Sequence, residues 1–102
     1  MKYAYIIIKS YKLNKEFISM IDSVFSTNKK AMDRMDLIKS LANNGQLFNS
    51  VENQHCIHDV TNNSIRLNNC YSHIRNIRHI IVDANNRLVS YSLERHALDI
   101  DD

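Results

Sequence analysis

Residues 74–94 read IRNIRHIIVDANNRLVSYSLE, and the way this stretch folds decides how the rest of the chain is arranged. Two runs rich in β-branched and aromatic residues, 74–83 and 88–94, flank Ala84-Asn85-Asn86-Arg87. Asparagine tolerates the positive φ angles of a tight hairpin turn better than other residues with a Cβ. The turn predicts a register: Val82 opposite Val89, Ile80 opposite Tyr91, Ile81 facing Ser90 and His79 facing Ser92. One face is then apolar and the other mostly polar, as an antiparallel sheet with one wet side requires.

Working back toward the N-terminus, residues 3–11 read as another strand. Ala4, Ile6 and Ile8 fall on one face, and Tyr3, Tyr5, Ile7 and Tyr11 on the other. Both faces are apolar, which places this strand inside the sheet and not at an edge. A polar connection, 12–16, leads to FISMIDSVF at 17–25. No capping box precedes that run, and its residues favour β structure, so it reads as a second strand. Alternation puts Phe17, Ile21 and Phe25 on one face and Ile18, Met20 and Val24 on the other. Ser26-Thr27 then offers two N-cap residues. Ala31, Met35, Ile38 and Ala42 recur at helical spacing, with Met32 and Leu41 widening the stripe. Asn43-Asn44-Gly45 supplies a C-cap, so a helix is expected over about 28–43. Its Lys29, Lys30, Asp33, Arg34, Asp36 and Lys39 form a mixed-charge outer face of the solvated kind.

The run VFSTNKKAMDRM, 24–35, resembles the strand–cap–helix step of short phage-encoded accessory proteins. In these an N-terminal strand pair ends in Val-Phe-Ser/Thr-Ser/Thr and a Lys/Glu-Lys-Ala helix follows. The likeness covers residues 2–43 in β-β-α order. It implies a fold and a phage or bacterial setting, and it carries no catalytic residues.

From 46 to 67 the pattern weakens. Residues 51–60 read as a strand, and 64–67 as a short one after an Asn62-Asn63 turn. The expected fold is α+β: an antiparallel sheet of about five strands with one main helix, about 28–43, on one face. A chain of 102 residues reads as one domain with a modest core, its acidic end, 98–102, fraying.

Composition narrows the classes. The 44% hydrophobic and 24% charged content is that of an ordinary globular domain. A net charge of +2 is too small by itself to imply a nucleic-acid or membrane partner. The longest apolar run, residues 3–8, is far short of a membrane span, and Lys2 is followed by too few apolar residues for a signal core. Cys56 and Cys70 read as free thiols in a reducing compartment, which makes the cytoplasm the expected location. With one glycine, no proline and 13 asparagines, the turns fall to Asn pairs.

Chemistry, if present, belongs to residues 55–79, which hold six of the seven His and Cys residues. Cys56 and His58, two apart on one strand face, together with Cys70 and His73 would make a tetrahedral zinc set. The common Cys-x2-Cys and His-x3–5-His spacings are missing, so no metal or other cofactor is assigned. His55 and His58 with Asp59, or His73 with His79, would serve as acid–base pairs for phosphodiester chemistry. No phosphate loop, nucleophile elbow or paired-carboxylate signature supports an enzyme. No acidic residue occurs between Asp59 and Asp83, while Arg66, Arg75 and Arg78 fall there. With Arg87 and Arg95 they would form a basic stripe for nucleic acid.

The reading that remains is a small non-enzymatic protein-interaction module. Its expected role is to bind and inhibit a host or defence protein, with nucleic acid as the alternative ligand, no membrane partner, and a homodimer left open. The residues expected to bind are Tyr71, Arg75, Arg78, His79, Ile81, Arg87 and Arg95, because Tyr and Arg are enriched at interface hot spots.

Overall fold

Asn14 and Lys15 both adopt positive φ, 52° and 70°, and this two-residue turn starts the sheet. The computed structural model describes residues 2–44, 55–61, 74–84 and 87–98. The elements are β1 (Lys2–Leu13), β2 (Glu16–Phe25), α1 (Asn28–Asn43), β3 (His55–Thr61), β4 (Ile74–Ala84) and β5 (Arg87–Leu98). The strands form one antiparallel sheet in the order β2-β1-β5-β4-β3. The fold is α+β. β1 lies inside the sheet, as its two apolar faces require, and residues 17–25 lie in a strand.

The order explains why one layer of helix suffices. β2 and β3 are the two edges, and α1 is the element between them in sequence, so it must cross the sheet. It touches all five strands on the way. Thr27 caps its start, with Oγ1 accepting the Lys30 N–H at 3.3 Å, and Asn44 caps its end by donating to the Ser40 carbonyl at 3.0 Å. The stripe Ala31, Met35, Ile38 and Ala42 is fully buried. It packs on Ile7, Ile77, Ile80, Val82, Val89, Tyr91 and Leu93. A fully buried Ile, Leu or Met side chain stabilises by roughly 1.5–3 kcal/mol, so this single layer carries most of the fold.

The β4–β5 register is the expected one: Val82 meets Val89, Ile80 meets Tyr91, Ile81 meets Ser90 and His79 meets Ser92. Three irregularities elsewhere change which way side chains point. Between Ile7 and Ile8 of β1, the β2 partner jumps from Ser23 to Ile21, so Asp22 is an extra residue. Phe25, opposite Tyr5, therefore faces the helix while Phe17 and Ile21, opposite Lys12 and Ile8, face away. This corrects the expectation that all three share a face; simple alternation fails across a bulge. A second bulge at Ile57 pairs Cys56 with Val82 but His58 with Ile81. Cys56 consequently packs beside the core while His58 lies on the opposite face. A third, at Ile77, brings Arg78 opposite Leu93 on the helix side.

β3 starts at His55 among the described residues and runs to Thr61, and β5 continues to Leu98. The expected strand at 64–67, the turn pairs at 62–63, 68–69 and 85–86, and the tail beyond residue 98 lie outside the described residues.

Candidate binding surface

Among the described residues, the helix covers one sheet face and no element covers the other. On β2, an edge of the sheet among the described residues, Phe17 is 81% exposed, Ile21 63% and Val24 55%. Cross-strand pairing continues this surface through Ile6 and Ile8 of β1 to Ser90 and Ser92 of β5, then to His79 and Ile81 of β4. Large apolar side chains gathered on a monomer's surface mark a site of contact more often than chance scatter does.

At one end this face deepens into a groove of about 610 Å³, where the β1–β2 and β4–β5 hairpins end side by side. Its apolar floor includes Phe17, Ile81 and Leu88, and its rim carries Lys12, Lys15 and Arg87. Lys12 Nζ lies 5.6 Å from the centre of the Phe17 ring, a cation–π distance. None of the described residues lining the groove is acidic. The result is an apolar slot with a cationic rim.

Of the arginines expected to form one stripe, Arg66 lies outside the described residues and the other four are divided among three environments. Arg78 is 5% exposed and faces the helix. Its Nε and Nη2 donate to Asp59 at 2.9 and 2.7 Å, and its Nη1 donates to Asp36 at 2.6 Å. Lys39 Nζ adds a contact to Asp59 at 3.2 Å. The Arg78 hydrogen bond, offset in part by burial and joined by that from Lys39, holds the Asp59 carboxyl below its usual range. Arg78 thus ties α1 to β3 and β4. Arg87 is exposed at the groove rim. Arg75 and Arg95 face each other across β4 and β5. Tyr71 lies outside the described residues.

The histidines are likewise divided. His58 and His79 meet on the open face with ring centroids 6.4 Å apart and planes at 83°. His79 Nε2 and Ser90 Oγ share a hydrogen bond of 2.8 Å. Burial, helped by the positive charge His58 can carry, depresses the His79 pKa and favours its neutral form. Asp59 lies on the other face with Arg78, so the sequential His58-Asp59 pair does not assemble. His55 stands opposite Asp83. Of the zinc set, Cys56 and His58 are on opposite faces, and Cys70 and His73 lie outside the described residues. Among the described residues no group of three or more His, Cys, Asp or Glu side chains is placed to hold a metal ion.

Sequence reasoning missed Lys12, Lys15, Phe17 and Leu88. A signal for Phe17 was present: the 17–25 run is apolar on both faces, yet a sheet with one helix can cover only one of them. No helix among the described residues is long and apolar enough to cross a membrane. No family model, curated protein or solved structure matches the chain.

Proposed function

We propose that this chain is a small non-enzymatic protein-binding module that inhibits a host or defence protein through the open sheet face. The observation that supports this most is the groove at its end, apolar on the floor and cationic on the rim. The chemistry it favours is a partner segment of aliphatic or aromatic side chains flanked by Asp or Glu. Apolar contact supplies the affinity and the charges steer the approach. A second copy of this chain is a poor occupant. A twofold contact centred on the groove would bring Lys12, Lys15 and Arg87 against their own images. The likeness of residues 24–35 to phage accessory proteins supports the host-directed setting, in which the cytoplasm is the place of action.

The test is capture from host-cell extract by immobilised chain, wild type against a Phe17→Asp/Leu88→Asp double variant. Both side chains are mostly exposed, so the variant should fold. The expected result is a protein retained by the wild type at about 0.5 M salt, where exposed charge pairs are screened, and released by the double variant. Equal retention by the two sinks the proposal. So does a wild-type dimer in light scattering that the double variant dissolves, since the groove then belongs to a second copy.

A further inference from the structure

Four described arginines belong to the helix side of the sheet, and two of them are matched. Arg34 is held by Asp22, and Arg78 by Asp59 and Asp36. Arg75 and Arg95 differ. They stand directly opposite one another on β4 and β5, an arrangement of like charges that destabilises a sheet when nothing offsets it. Among the described residues, no carboxylate forms an ion pair with either. The Arg95 guanidinium stacks 4.2 Å from the centre of the Tyr3 ring, while its Nε is buried with no hydrogen-bond partner. Both arginines line a pocket of about 250 Å³ with Tyr5, Ile77 and Asn28. Asn28 is the first residue of α1, whose first turn carries no acidic side chain to occupy the positive end of the helix dipole.

We infer that this pocket is an oxyanion site that takes a phosphate monoester, with Arg75 and Arg95 as its paired guanidinium ligands. Two guanidinium groups opposite one another match the oxygens of a tetrahedral dianion, and each forms charge-assisted hydrogen bonds about twice as strong as neutral ones. Tyr3 fixes the plane of one guanidinium before the ligand arrives, which lowers the ordering cost. The pocket is a recess, so it fits a terminal phosphate better than a phosphodiester backbone. Arg78 is turned inward and Arg87 lies at the opposite end of β5, so neither extends the pair into a track along a strand of nucleic acid.

The experiment is calorimetric titration of the full chain with inorganic phosphate and with glycerol 3-phosphate, at constant ionic strength set with chloride. Both ligands should bind at about millimolar Kd or tighter. Arg75→Gln and Arg95→Gln should each weaken binding at least tenfold. Tighter binding of glycerol 3-phosphate assigns the site to an esterified ligand, and equal binding assigns it to the free ion. Thermal melts keep the result readable: phosphate should raise the wild-type Tm above its value in chloride, and should do so less in Arg75→Gln. Undiminished affinity in both variants overturns the site, as does a Tm in phosphate equal to that in chloride. Binding that appears only in a chain ending at Leu98 also overturns it, because the acidic residues that follow would then be the native counter-charge. Failure of the groove variants in host capture leaves this site untouched, since the two surfaces share no lining residue.

Discussion

The two faces of the sheet are built from the same five strands and differ in what they ask of their side chains. On the covered face, eleven apolar residues from β1, β4, β5 and α1, Met35 among them, are buried at 5% exposure or less. Both flanks of α1 are tied down by ion pairs, Arg34 to Asp22 on one side and Asp36 to Arg78 on the other. On the open face Phe17, Ile21 and Leu88 remain more than half exposed. An apolar group already in contact with its neighbours holds the fold together, whereas one left in water has free energy still to give to a partner. The comparison predicts that substitutions on the first face change stability, and that substitutions on the second change binding alone.

The largest effect should come from the covered core. Leu93 and Ile80 are fully buried between sheet and helix, so Leu93→Ala or Ile80→Ala should cost about 2–5 kcal/mol by chemical denaturation. Phe17→Ala removes a larger side chain, yet at 81% exposure it should stay within about 0.5 kcal/mol of wild type. A Phe17→Ala cost near that of Leu93→Ala would show that the open face is already packed and would break the contrast.

The next effect lies at Arg78. Removing it takes both guanidinium hydrogen bonds from Asp59, on the covered face, and leaves that carboxylate only the more exposed Lys39 at 3.2 Å. Arg78→Met should therefore cost about 2–4 kcal/mol, in the range of a broken buried pair. Adding Asp59→Asn should restore a large part of that loss, because the stranded charge and not the missing arginine is the main cost. If the double variant is no more stable than Arg78→Met, the bridge acts chiefly through geometry.

The opposite flank should respond less. Arg34 donates twice to Asp22 at 3.1 Å, but this pair is more open to water than Arg78, so Arg34→Ala should cost about 1 kcal/mol. Burial pushes the Asp22 carboxyl upward, and hydrogen bonds from Arg34 and Ser23 outweigh it and leave its pKa lowered. Asp59 is lowered as well. The stability from both is fully present above the unfolded carboxylate pKa of about 3.9 and is lost as pH falls through the folded values. Denaturation between pH 5 and pH 2, expected to be shallower in Asp22→Asn than in wild type, checks this.

How much of this could be read from residues alone depends on whether a feature is periodic. The helix was legible because Ala31, Met35, Ile38 and Ala42 repeat at its period, and the β4–β5 register because the position of its turn dictates the pairs from Ala84–Arg87 back to Arg78–Leu93. The three bulges were not, since one extra residue leaves no compositional mark while inverting everything beyond it. That is why the Cys56-His58 spacing suggested a shared ligand face that the strand does not have. It is also why Arg78, two residues beyond Asn76, faces the helix. The Arg75–Arg95 juxtaposition was hidden for the same reason, since the turn register alone sets Arg75 opposite His96 and the bulge at Ile77 moves it opposite Arg95. The groove required knowing that β1 brings its turn beside that of β4–β5.

The smallest expected effect separates the two faces by pH. His79, on the open face, has its pKa lowered by burial first and by the charge of His58 second. The neutral ring is therefore the form the fold favours. Its contribution is complete above the unfolded histidine pKa of about 6.5 and declines as pH falls through the lower folded value. The carboxylates of the covered face begin to respond only near the acid range described above, so the windows do not overlap. Partial exposure discounts the size of the histidine effect, and between pH 7.5 and pH 5 it should lower Tm by roughly one or two degrees. Subtracting the same scan of His79→Gln isolates the part of the response that belongs to His79. A difference curve that is flat across this range would mean the His79 ring is as well hydrated as in the unfolded chain. The open face would then be wetter at its β4 side than the 2.8 Å bond to Ser90 implies.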